Sequence, residues 1–175
     1  VDGHSVAIEY RWAEGQYDRL PAMAAELIRR QVTVIAATST PAALTAQKAT
    51  NTIPIVFTTS SDPVHLGLVA SLSRPGANIT GVTQLNVEVA PKRVELLHEL
   101  VPAAKVIALL VNPTNPNVET VTRDLQAAAR TRGLHSHVLH ASNEREIDGA
   151  FATLIRLRAD GLVIGSDVFF NTRTQ

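Results

Sequence analysis

The feature that most constrains the fold is the run Val106-Ile107-Ala108-Leu109-Leu110-Val111, apolar without a break, followed at once by Asn112-Pro113-Thr114-Asn115-Pro116-Asn117. An unbroken apolar run ending in turn residues suits a parallel strand covered by helices on both faces, because a half-solvated antiparallel strand alternates apolar with polar residues. The loop then offers amides, a hydroxyl and two prolines where a helix should begin. The same arrangement recurs. Residues 32–38 run into Ser39, Thr40 and Pro41; 53–57 into Thr58, Thr59, Ser60, Ser61, Asp62 and Pro63; 162–165 into Ser166 and Asp167. Four strands thus end in hydroxyls, amides or carboxylates, and the carboxyl edge of an open α/β sheet is where ligands bind.

The rest of the chain fits that plan. Residues 5–13 have a period-two texture and predict a strand near a sheet edge. Leu20, Met23, Ala24, Leu27 and Ile28 recur at helical spacing, so 17–31 reads as an amphipathic helix with Pro21 in its first turn. Thr40-Pro41 caps and opens a helix to residue 50, and Asp62-Pro63 repeats the device ahead of a helix over 64–72. Residues 78–84 predict a strand in which Gly81 implies a bend or the close approach of another backbone. After a change of unit at 85–90 come a helix over 91–100, the strand of the opening argument, a helix over 117–132 and a strand over 135–140. A helix over 143–158, with Ile147, Phe151, Leu154 and Ile155 inward, then leads to a strand over 161–165. A last helix starts at 169. Regular alternation with short connections means βαβ units and parallel sheets. Seven strands allow one doubly wound sheet or two sheets of four and three.

Composition removes several functions. Sixteen basic and sixteen acidic residues cancel, which argues against a nucleic-acid footprint or a polybasic membrane contact. With no cysteine in the 175 residues there are no disulfides, thiolate nucleophiles or cysteine metal sites. His135 and His137 share a strand face while His140 falls on the other, no HExxH arrangement exists, and neither a metal site nor a cofactor is expected. No phosphate-binding glycine loop, GxSxG elbow or carboxylate pair stands out, so no catalytic group is nominated.

Four segments, VAIEYRWAEGQYDRLPAMAAELIRRQV, TIPIVFTTSSDPVHLGLVASLSRPGANITGVT, PKRVELLHELVPAAKVIALLVNPTNPN and ADGLVIGSDVFFNTR, resemble the ABC-transporter substrate-binding family that includes tryptophan- and tyrosine-type proteins, a branch of the type I periplasmic binding proteins. The resemblance covers essentially the whole chain. It implies two Rossmann-like α/β/α lobes with parallel sheets: residues 1–85, a hinge crossover at 86–90, and residues 91–175. One ligand is expected in the cleft, delivered to a membrane permease outside the cytoplasm. Members of the family are much longer, so the chain reads as an internal piece with both lobes incomplete, and uncovered sheet edges make a dimer a natural remedy.

The expected ligand contacts are Thr38, Ser39, Thr40, Thr58, Thr59, Ser60 and Asp62 at one sheet edge, and Asn112, Thr114, Asn115, Asn117, Asp167 and Phe169 at the other. Hydroxyls beside free helix N-terminal amides favour a carboxylate, and a carboxylate at 167 could hold an ammonium. Together they specify a small zwitterion such as an amino acid. The plain alternative is that Thr40, Asp62 and Asp167 are helix caps and that Phe169 belongs to a core. Two other functions share this architecture. One is an isomerase- or glycosyltransferase-like enzyme with Asp167 as acid or base, lacking an obvious second ionisable group. The other is the effector domain of a sugar-repressor-like regulator, which needs a basic helix-turn-helix that this sequence does not contain.

Overall fold

The computed structural model describes residues 5–171. Its main elements are α1 (Leu20–Arg29), β1 (Ile35–Ala37), α2 (Thr40–Ala49), β2 (Ile55–Thr59) and β3 (Ile79–Thr83), then α3 (Ala90–Leu100), β4 (Val106–Val111), α4 (Val118–Thr131), β5 (His135–His140), α5 (Glu144–Leu157), β6 (Gly161–Ile164) and α6 (Val168–Asn171). The described strands form two three-stranded sheets, β1-β2-β3 and β5-β4-β6. The chain divides into two compact units. One runs to Thr58 and resumes over Pro63–Val82; the other comprises Thr59–Asp62 and the chain from Thr83 onward.

In the first unit β1 and β2 are parallel, with Ala37 beside Phe57. Inward residues of the strands, Ile35, Ala37, Ile55, Phe57 and Ile79, pack with Ala43 and Ala46 of α2 and with Leu68 and Val69. Gly81 meets the expectation of close backbone approach: a methyl there would lie 2.6 Å from Phe57 Cγ and overlap the Phe57 carbonyl oxygen. In the second unit β4 is central and parallel to both β5 and β6. Its odd-numbered residues Ile107, Leu109 and Val111 pack with Val94 of α3 and with Val121, Leu125 and Ala129 of α4. Leu110 faces the other way, toward Ala150, Phe169 and Phe170. A strand buried on both faces has no polar positions to alternate, which explains its sequence.

Three expectations are corrected. Residues 5–13 form no strand beyond an isolated bridge at Val6. Val6, Ile8, Tyr10 and Trp12 do lie at period two, but all are exposed, and an apolar stripe with no core beneath it does not build a ladder. The segment is fastened instead through Arg11, whose guanidinium donates to Glu26 at 2.6 and 3.0 Å. Residues 64–72 form turns rather than a helix: Gly67 adopts φ +70°, and the Pro63 carbonyl accepts from the amides of Leu68 (2.9 Å) and Val69 (3.3 Å), which closes the chain on itself. On α5 the inward line is Ile147, Ala150 and Leu154, while Phe151 and Ile155 are 46% and 73% exposed. At about 100° per residue they lie roughly 70° and 110° around the helix from the middle of that line. No helix among the described residues is long and apolar enough to cross a membrane.

Candidate functional site

The carboxyl edge of each sheet bears the polar residues that the strand-end pattern singled out. In the first unit Thr38 and Ser39 follow β1 directly. Ser39 is extended and its Oγ accepts from the Ala42 amide at 3.4 Å, so Ser39 caps α2, one residue earlier than expected. Thr40 is buried in the first turn beside Pro41. Thr58, one residue past the Ala37–Phe57 register pair, is half-buried at the same edge.

Thr59–Asp62 belong to the second unit and are stitched to residues 83–88. The Thr59 and Thr83 hydroxyls both donate to the Ser61 carbonyl, at 2.7 and 2.8 Å. The Val87 amide donates to the Ser60 carbonyl at 2.9 Å, and the Asp62 amide donates to Glu88 Oε1 at 2.8 Å. Asp62 therefore caps no helix, since none follows it. Ser61, which sequence reasoning passed over, is the hub of this loop through its carbonyl, and its Oγ is buried with no partner in the protein.

At the carboxyl end of β4 the loop folds around its own amides. Asn112 Oδ1 accepts from the Thr114 amide (3.0 Å) and hydroxyl (2.8 Å), and Asn115 Oδ1 accepts from the Asn117 amide (2.8 Å). Side chains of this kind imitate backbone turns and tolerate the prolines between them. The two free amide groups then converge on one carboxylate: Asn112 Nδ2 donates to Asp167 Oδ1 at 3.2 Å and Asn115 Nδ2 to Asp167 Oδ2 at 2.6 Å. Asp167 Oδ1 also accepts from the Phe169 amide at 2.7 Å. Asp167 thus ties the β6–α6 connection to the β4–α4 loop, and it is the one ionisable side chain that is buried among the described residues. Asn117 lies at the start of α4 with no side-chain cap bond. Phe169 packs in the core with Phe170, ring centroids 5.4 Å apart.

Of the predicted residues in the second unit, Asn112, Thr114, Asn115, Asn117 and Asp167 are brought together. Thr59, Ser60 and Asp62 sit in the separate loop described above. His140 and Asn143, at the end of β5, were not nominated, although the same strand-end logic reaches them. With Arg145 and Glu146 they line a surface groove of about 560 Å³. Asn143 Oδ1 caps α5 through the Glu146 amide. Glu146 reaches back to the Ser142 amide and hydroxyl at 2.7 and 2.9 Å, and those donors hold its carboxyl below the usual carboxylate range. Among the described residues no group of three or more His, Cys, Asp or Glu side chains is placed to hold a metal ion.

Two small parallel α/β units with polar strand ends define a protein of the type I periplasmic-binding fold, and the comparisons agree. Residues 1–171 match the family described as ABC transporter substrate binding protein, and the chain belongs to that family. It is 30% identical over 167 residues to a tyrosine-binding protein of Clostridioides difficile, a match covering 95% of this chain and 47% of that one. Among solved structures it resembles an ABC domain in complex with L-Trp from Streptococcus pneumonia, with TM-score 0.79, 27% identity and coverage of 94% and 56% of the two chains. A conserved domain protein from Vibrio cholerae gives TM-score 0.81 at 28% identity, with coverage of 92% and 53%. The chain therefore spans about half the length of the relatives it matches. The Clostridioides difficile relative is described as a binding protein.

Proposed function

We propose that this chain is part of the solute-binding component of an ABC importer and contributes residues that recognise a small amino-acid zwitterion, aromatic ones included, for delivery to a membrane permease outside the cytoplasm. The observation that supports this most directly is the common placement of polar groups at carboxyl strand ends in both units, in a chain whose relatives include a tyrosine-binding protein and an L-Trp complex. Thr38, Ser39, Thr40 and Thr58, with the α2 N-terminus, suit a carboxylate. Thr59, Ser60 and Asp62 border the turn that follows. Asn112, Thr114, Asn115 and Asn117 present a polar loop, and Asp167 supplies the buried negative charge that attracts an ammonium toward it. Phe169 sets the apolar floor beneath that charge. The dimer expected from uncovered sheet edges is not part of this reading, nor is acid-base catalysis by Asp167, whose oxygens already accept three hydrogen bonds.

The test is thermal denaturation of the protein against single amino acids and against analogues lacking the amino or the carboxyl group. A ligand at a hundred times its Kd stabilises by about 2.7 kcal/mol. The expected result is a rise in Tm with one or a few amino acids and a much smaller rise with either analogue. No shift with any amino acid would overturn the reading for this ligand class.

A further inference from the structure

Beneath the β4–α4 loop lies a small cavity of about 10 Å³ whose lining includes Asn112, Asn115, Asn117, Gly165 and Asp167. Asn117 is only 5% exposed, and its Nδ2 is buried without any acceptor in the protein. A buried amide donor left unpaired keeps the full cost of its desolvation, and native structures meet nearly all such groups with a partner. The neighbouring amides of this loop meet their partners at 2.6 to 3.2 Å, which leaves Asn117 Nδ2 as its unmatched donor.

The chemistry of the cavity limits what it can take. Its size matches a single water, for which about 10–15 Å³ is needed, and excludes a carboxylate or an alkylammonium group. Asp167 makes the lining electronegative, which disfavours any anion. Asn117 Nδ2 is a donor, which disfavours a cation at its own position. An occupant must therefore accept from Asn117 and be able to donate toward the Asp167 side, while carrying no charge.

We infer that one internal water is bound between Asn117 and the Asp167 carboxylate, completing the network that ties the β4–α4 loop to the β6–α6 connection. Through it the first turn of α4, which has no side-chain cap of its own, is coupled to the same carboxylate that holds Asn112 and Asn115. Buried waters of this kind make two to four hydrogen bonds and are costly to remove.

A crystal structure of the unmodified chain at a resolution that shows ordered solvent tests this directly. The expected result is a single peak within about 2.7–3.2 Å of Asn117 Nδ2. An Asn117 side chain turned to a protein acceptor, or a dry cavity, overturns the inference. In solution, water-oxygen magnetic relaxation dispersion counts long-lived waters, and Asn117→Leu should show one fewer than the unmodified chain. An unchanged count in a folded Asn117→Leu variant rejects the site. Because neither readout involves an added ligand, failure here is distinguishable from failure of the transport reading.

Discussion

Gly81 and Arg158 each have a backbone or packing demand that sets the sign of a substitution. Gly81 in β3 has no room for a methyl, because the nearest atoms are the carbonyl oxygen and ring of Phe57, itself fully buried. Backbone cannot move aside as a flexible side chain can, so Gly81→Ala should destabilise the protein by about 1–3 kcal/mol, read as a lower midpoint in denaturant. Arg158 ends α5 with φ +50° and ψ +44°, a left-handed conformation that disfavours residues with a Cβ. Arg158→Gly should therefore raise stability by about 0.5–1 kcal/mol, since glycine adopts that turn at no steric cost. A variant no more stable than its parent would contradict that account. Gly81 was legible in the sequence as a glycine within a strand pattern. Arg158 was not, because a left-handed arginine looks like any other basic residue near a helix end.

At the level of elements, legibility followed burial. β4 could be read residue by residue, and so could the alternation of strand and helix around it, because a doubly covered strand writes its environment into six successive side chains. The failures fell where local signals lacked tertiary support. Residues 5–13 have strand-like alternation and no core beneath it. Residues 64–72 follow the Asp62-Pro63 start signal but contain a left-handed Gly67. The candidate site was half legible: strand ends named its residues, but the clasp of Asn112 and Asn115 on Asp167 is a contact across more than fifty positions that no local pattern encodes. A similar long-range clasp holds the other end of this sheet. Asp160 Oδ2 accepts from the amides of Lys105 (2.7 Å) and Val106 (3.0 Å), and those donors hold its carboxyl below the ordinary carboxylate value. A folded-state pKa below the unfolded one means stability that is fully present above the unfolded value, about 3.9, and is lost as pH falls through the folded one. Asp160→Asn should thus melt at a lower temperature than the parent at neutral pH, and the gap should close below about pH 4. A gap of constant size across the acid range would show that the charge is irrelevant.

For the molecule as a whole, the buried apolar residues fall into sets that do not mix. Ile35, Phe57, Leu68 and Ile79 share one core, and Val94, Ile107, Leu109 and Leu125 share another. Among the described residues each core cluster draws its members from a single unit. Sub-global opening follows such divisions, because the free energy of opening a unit is set by the burial within it. The consequence is measurable with Gly81→Ala as a local perturbation. In native-state hydrogen exchange the variant should speed exchange at Ile55 in β2 and leave the β4 amides of Leu109 and Leu110 at their parental rates. Combined with Asp160→Asn, whose clasp lies in the other unit, the effects on stability should add to within about 0.3–0.5 kcal/mol. Equal acceleration in β2 and β4 would mean instead that the two units open together, and stability would then have to be assigned to the chain as one cooperative body rather than to each sheet and its helices.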